Sequence, residues 1–265
     1  MGIFRSQRKA SLVGAFFVSV FWLGAAQAFC PAPAGLPEAR VRQVIDGDTL
    51  RLSDGRSVRL IGIDTPELAR RGKPAQPLAE AAKRRLQALV RSNGDRVRLR
   101  VGQQPKDRYG RTLAHVYGRD GSNFEAQLLS EGLGFRVVIA PDAALAGCQR
   151  AAERRARQAR LGLWRRSPVL AGQQVRRPGF ALVGGRVIDV RRNRGGVWLE
   201  LDSVMLRVAP DTLRLFDAGR LAQLKGKRVE ARGWIVERTP RGGLKSGQAR
   251  WLMPLKHPQM LDILD

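Results

Sequence analysis

The chain has 265 residues, 48 of them Lys or Arg against 23 Asp or Glu, giving a formal charge of +25 with 43% hydrophobic residues. That apolar share excludes a disordered polycation, and the length suffices for one large domain or two small ones with cores of their own. With two Cys and two His, zinc-finger and zinc-hydrolase ligand sets and paired catalytic histidines are excluded, leaving carboxylates, arginines and hydroxyls to carry any chemistry.

The basic residues are 40 Arg and 8 Lys. The planar guanidinium grips phosphate in two places, which fits a polyanionic partner, although a GC-rich genome produces the same ratio. Whatever its origin, the excess positive charge attracts polyanions.

Residues 1–28 read as a signal peptide: Arg5, Arg8 and Lys9 precede an apolar run from Ser11 to Gly24, and Ala26-Gln27-Ala28 offers small residues for cleavage after Ala28. The expected location is therefore periplasmic or secreted, with no stable membrane association after cleavage. The other reading is an uncleaved membrane anchor, for which the apolar run is short. In an oxidising compartment Cys30 and Cys148 permit one disulfide, though spacing alone supplies no geometry.

From Arg40, the text VRQVIDGDTLRLSDGRSVRLIGIDTPE alternates apolar residues and is broken at Asp46-Gly47 and Asp54-Gly55, predicting antiparallel strands. Residues 75–91 place Leu78, Ala82, Leu86, Leu89 and Val90 on one side of an amphipathic helix. Two further strands flank the loop QQPKDRYG. NFEAQLLSEGLG reads as a helix stopped by Gly132 and Gly134, and a last helix covers roughly 143–161 before Gly162-Leu163-Trp164. The predicted class is mainly β with helices (α+β), with a five-stranded barrel of the oligonucleotide-binding (OB) type over 38–166.

A linker is expected over 167–179, where Pro168 and Pro178 lie in aperiodic sequence. Residues 180–265 predict three strands, a helix starting at Asp211 and two more strands. That is the order of a second, small OB-like β-barrel domain.

Without histidine, phosphodiester hydrolysis calls for a divalent ion held by carboxylates and for Arg forks aimed at the phosphorane. The first unit carries such a set. Asp46 and Asp48 share one strand face, Asp64 and Glu67 flank a Thr-Pro turn, Arg59 lies five residues before Asp64, and Arg111 closes the Asp107–Gly110 loop. Hard oxygen donors favour Ca²⁺ or a similar ion. Each piece also has an ordinary reading as a hairpin turn, a helix start or a solvated arginine. A non-catalytic nucleic-acid-binding or scaffold protein of two barrels therefore stands beside a metal-assisted phosphodiesterase.

VIDGDTL, RLIGIDTPE and DRYGR, in that order and followed by EGLG and GLW, resemble the staphylococcal nuclease (thermonuclease) family over about residues 40–165. The resemblance implies a Ca²⁺-dependent nuclease acting on DNA and RNA, internally or from the ends, on a five-stranded barrel, leaving 3′-phosphate ends. By the same resemblance Asp48, Asp64 and the Thr65 main-chain carbonyl hold the metal, with Asp46 an acidic neighbour in its pocket. Glu67 acts as general base on the attacking water, and Arg59 and Arg111 brace the phosphate. Arg108 and Tyr109 contact a terminal phosphate of the substrate. The sequence departs from the family pattern at Val138, where a base-contacting tyrosine is expected, and in the loop after Glu67.

His115 reads as a strand residue without catalytic duty, and His257 is given no role. The tryptophans read as core or barrel-end plugs, with base stacking by Trp198, Trp234 and Trp251 as the other reading. The basic stretch ERRARQARLGLWRR reads as a solvated face or as a track for phosphates.

Overall fold

A computed structural model describes residues 29–70, 72–238 and 248–264. The expected signal peptide, and with it cleavage after Ala28, lies outside the described residues.

Alternating apolar residues build β1 (Glu38–Val44), β2 (Thr49–Leu52), β3 (Ser57–Leu60), β5 (Arg96–Lys106) and β6 (Thr112–Tyr117) into a closed barrel in the order β1-β2-β3-β6-β5. Its pairings are antiparallel except β3 with β6, which run parallel. β4 (Ile63–Asp64) and α1 (Ala79–Ser92) lie between β3 and β5, and α2 (Phe124–Ser130), β7 (Phe135–Arg136) and α3 (Ala146–Gln158) follow β6. β4 and β7 form a separate two-stranded sheet, with Asp64 opposite Phe135 and Ile63 opposite Arg136.

Leu50, Leu52, Val58, Leu60, Val97 and Val116 fill the barrel, and Leu86, Leu89 and Val90 of α1 pack on it. The helix begins one residue later than the apolar stripe suggested. Ala79 N–H closes a turn onto Gln76 O at 3.2 Å, leaving Leu78 outside the helix at φ 68° and exposed. Asn123 caps α2 by accepting from Ala126 N–H at 2.8 Å.

The two glycine motifs meet each other. A Cβ on Gly132 would lie 2.3 Å from Leu161 O, and one on Gly162 would lie 2.3 Å from Gly132 O, both at positive φ. EGLG and GLW are therefore two halves of one backbone contact that admits only glycine. Cys30 and Cys148 are joined by a disulfide that ties the start of the described chain to α3.

Residues 167–179, expected as a linker, contain β8 (Val169–Ala171), which pairs in parallel with β9 (Gly179–Arg186). Parallel pairing has no alternation signature in so short a segment, so three residues between prolines gave no strand signal. β9 is followed by β10 (Asp189–Asn193), β11 (Gly196–Leu201), β12 (Val204–Val208), α4 (Pro210–Leu213), α5 (Ala218–Ala222), β13 (Arg228–Glu237), β14 (Trp251–Pro254) and β15 (Leu261–Ile263). The expected helix from Asp211 is thus two short helices, because the Asp217 carboxylate accepts from Arg220 N–H at 3.0 Å and starts a new one.

The second sheet has eight strands in the order β10-β11-β12-β14-β13-β9-β8, with β15 also on β13. β12 and β14 run parallel, and β9 and β10 are consecutive pieces of one run broken at Val187-Ile188. With β9 and β10 taken as one run, the strands β10-β11-β12-β14-β13-β9 pair in the same order as those of the first barrel, and β8 and β15 are added to them. Val137, Val138 and Ala146 from the preceding unit enter its core beside Leu199, Leu206 and Met253.

Charges lock the two units together. Arg232 of β13, 2% exposed, donates from Nη1 to both Glu153 oxygens of α3 at 2.8 and 2.6 Å. Glu153 Oε1 also accepts from Arg136 N–H at 2.8 Å. Arg157 of α3 reaches Glu230 at 2.8 and 2.7 Å, and Arg136 Nη2 donates to Gln259 O at 3.0 Å.

Candidate active site

The β1–β2 turn and the β3–β4 turn bring four acids to one end of the barrel. Asp46 and Asp48 sit at alternate positions, and Asp48 N–H donates to Asp46 Oδ1 at 3.0 Å. Asp48, 6% exposed, is held by neighbours: Thr65 donates to its Oδ2 from N–H at 2.9 Å and from the hydroxyl at 3.0 Å. Thr49 Oγ1 donates to Oδ1 at 3.2 Å.

Arg59 lies between the carboxylates. Its Nη2 is 3.1 Å from Asp48 Oδ2 and 3.1 Å from Asp64 Oδ1. Its Nη1 donates to the carbonyls of Leu60 and Ile63, both at 2.8 Å, which fixes the fork. One guanidinium does not balance the acids around it. Burial, against the pull of Arg59 and helped by Asp48 and Glu67, pushes the Asp64 carboxyl up to about 7. Burial and the Asp48 charge likewise raise Asp46 above the ordinary carboxylate range.

Gly47 is the close-approach point of this wall. A Cβ there would stand 2.6 Å from Thr65 Oγ1 and 2.7 Å from Ala82 Cβ of α1. Glu67 is exposed, and its loop is closed by a reciprocal pair that the sequence did not reveal: Glu67 N–H donates to Gln76 Oε1 at 2.9 Å and Gln76 N–H to Glu67 O at 2.8 Å. A glutamine in an irregular loop carries no signal of such a role.

Arg108, Tyr109 and Arg111 gather in a second group at the β5–β6 turn. Asp107 Oδ1 accepts from Tyr109 N–H at 2.9 Å and Arg111 N–H at 3.0 Å, while Arg111 Nε donates to Oδ2 at 2.7 Å. Arg108 Nη2 donates to the Tyr109 hydroxyl at 2.6 Å, and both guanidiniums lie over the tyrosine ring, at 4.7 and 5.6 Å. Arg111 directly precedes Thr112, which pairs with Val58, while Leu113 pairs with Arg59. The two groups thus lie on neighbouring strands, and Arg111 makes no direct contact with the acids among the described residues.

A family model described as "Staphylococcal nuclease homologue" matches residues 57–166. The thermonuclease of Staphylococcus intermedius is 38% identical over 129 residues, covering 48% of this chain and 75% of that protein. The chain belongs to the staphylococcal nuclease family. It is thereby a phosphodiester-hydrolysing nuclease on a closed five-stranded barrel. The thermonuclease of Staphylococcus hyicus is 35% identical over 144 residues, covering 49% of this chain and 80% of that protein. The endonuclease YncB of Bacillus subtilis (strain 168) is 34% identical over 129 residues, covering 47% and 60%. All three matches cover about half of this nuclease, and the family model ends at residue 166, before β8.

At Val138 this family member departs from the expected tyrosine. The valine is 1% exposed, sits in the core of the second unit and turns its N–H to Met260 Sδ at 3.2 Å. The second sheet thus covers a position where an aromatic side chain was expected to meet substrate. His115 is 4% exposed in β6, beside Glu125, in keeping with a packed strand residue.

Proposed function

We propose that this nuclease is exported and Ca²⁺-dependent, and that it cuts DNA, RNA or both to leave 3′-phosphate ends. The observation that carries this reading is the convergence of Asp48 and Asp64 on one face of Arg59, with Thr65 bonded to Asp48.

The donor set fits a hard divalent cation. Among the described residues no three His, Cys, Asp or Glu side chains already stand as a metal cluster. The fit rests instead on two carboxylates and the Thr65 main-chain carbonyl, in a pocket where burial first, and the neighbouring carboxylates second, raise Asp64 and Asp46. Such an excess of hard-oxygen charge suits calcium. When bound, Ca²⁺ supplies charge stabilisation at the phosphoryl oxygens.

The chain's own groups do the remainder. Asp48, Asp64 and the Thr65 carbonyl would hold the ion, and Asp46 would deepen the negative field behind them. Glu67, exposed at the rim, accepts a hydrogen bond from the attacking water and orients it for in-line attack. Arg59 and Arg111 donate to the non-bridging oxygens as charge builds there. Arg108 and Tyr109 bind a phosphate flanking the cut. Departure of the 5′ oxygen leaves the phosphate on the 3′ side.

Export is supported by the signal-like pattern of residues 1–28 and by the Cys30–Cys148 disulfide, a bond typical of oxidising compartments. Among the described residues no helix is long and apolar enough to cross a membrane. Two assays test the proposal. Plasmid is incubated with the full chain in CaCl₂ or in chelator, and fragment ends are assayed for 3′-phosphate. Cutting that continues in chelator refutes calcium dependence, and 5′-phosphate ends refute the assigned chemistry. N-terminal sequencing of exported protein tests cleavage after Ala28.

A further inference from the structure

The outer face of β13 changes character along its length. Glu230 and Arg232 point to α3 and are buried against Arg157 and Glu153. Trp234, next on the same face, is 39% exposed, and Val236 beyond it is 43% exposed. The face that docks on the nuclease unit therefore runs out past the contact as an exposed apolar pair, Trp234 and Val236.

That indole belongs to a chain of rings leading to the acidic site. Trp234 pairs in register with Phe180 of β9, and their rings meet edge to face at 5.2 Å. Phe180 stacks on Phe135 of β7 at 5.9 Å with planes 25° apart. Phe135 lies opposite Asp64 and also meets Trp164 at 5.6 Å. Trp234 is thus two ring contacts from the residue paired with Asp64.

Exposed cations lie close in sequence to the rings that carry the indole. Arg165 and Arg166 directly follow Trp164, and Arg177 precedes Phe180 by three residues. All three are exposed, and no acidic partner to any of them occurs among the described residues. An indole packed on one side and wet on the other, on a strongly basic chain of a nuclease family, suits a ligand that is at once planar and anionic, and a nucleic-acid strand is such a ligand.

We propose that Trp234 stacks on a base of the nucleic-acid strand being cut, so that the second barrel extends the substrate path beyond the Asp64 site. The occupant is a single strand, because a paired base does not offer its face to a side chain. Packing against Phe180 holds the indole in place before binding, which lowers the entropy cost of the contact. This inference rests on the proposed active site only for the starting point of the path.

The test measures equilibrium binding of labelled single-stranded oligonucleotides to the full chain in chelator, where the strands stay intact. A short strand of about 4 nucleotides and a long one of about 16 are compared, spanning the range a barrel of this kind can cover. Trp234→Ala weakens binding of the long strand by roughly tenfold, the loss of one stacked base, and leaves the short strand unaffected. Trp234→Leu retains apolar packing on Phe180 and shows the same loss, whereas Trp234→Phe binds nearly as the parent. Unchanged long-strand affinity in Trp234→Ala overturns the proposal, as does equal loss for both lengths or parental binding by Trp234→Leu. Failure of the active-site reading would appear separately, as plasmid left intact by the parent in CaCl₂.

Discussion

Asp64 and Phe135 face each other across the β4–β7 pair, and the residue after Phe135 is the fully buried Arg136. Arg136 N–H is held by Glu153, and Glu153 by Arg232 of the second barrel. A continuous hydrogen-bonded route therefore runs from the C-terminal unit to the strand that backs one of the proposed metal ligands. The nuclease unit is braced at its small second sheet, a ladder of two residues a side.

Breaking that brace leaves a charge buried without its partner. Arg232→Met is expected to lower stability by about 3 kcal/mol, since stranding one member of a buried pair costs more than the pair contributes. Urea unfolding reads the change. The double variant Arg232→Met, Glu153→Gln is expected to lose less than the sum of the two single losses, because it removes the stranded charge.

Loss of the Cys30–Cys148 bond acts through the unfolded chain. The two residues are 118 positions apart, so opening the bond frees a long loop. Replacing both by serine is expected to cost about 2–4 kcal/mol while cutting persists at temperatures well below the transition. Thermal unfolding with and without reductant checks it, and reductant leaves the serine variant unmoved.

Gly47 separates Asp46 from Asp48 and leaves no room for a side chain beside Thr65 and Ala82. Gly47→Ala is expected to cost about 1–3 kcal/mol of stability through overpacking. It also displaces the Thr65 hydroxyl from Asp48. Activity measured at a temperature where the variant remains folded falls more than the folded fraction does.

Much of the acidic site was legible in the sequence. Asp-Gly turns fold β1, β2 and β3 back to back and bring Arg59 and Asp64 alongside. Asp46 and Asp48, expected on one strand face, instead lie in the bend between β1 and β2 and are brought together by the turn itself, Asp48 N–H donating to Asp46 Oδ1. Legibility fails where the decisive partner is remote. Glu230 and Arg232 lie in a stretch that the sequence marks only as a strand, yet α3 covers them, and Glu153 lies 79 positions from Arg232. Phe135, Phe180 and Trp234 come from three strands, so no window of sequence contains their stacking. The split at Asp217 was missed for a local reason: an aspartate inside a helical pattern reads as a polar face until its carboxylate is seen capping a new turn.

Arg111 lies half out of the protein, bonded to Asp107, and its removal leaves no buried group stranded. Arg111→Ala is expected to retain the fold while slowing cleavage about a hundredfold or more, the cost of losing one donor to a transition-state oxyanion. Single-turnover cleavage with circular dichroism on the same samples measures both.

The central claim is that Asp64, gathered with Asp48 around Arg59, serves the hydrolysis of a phosphodiester. Its most direct measurement is single-turnover cleavage of a defined oligonucleotide in CaCl₂ by the parent and by Asp64→Asn, with binding of the same strand measured in chelator. The account predicts binding and folding close to the parent's, with cleavage slower by about a hundredfold or more. Cleavage by Asp64→Asn at the parent's rate would contradict it.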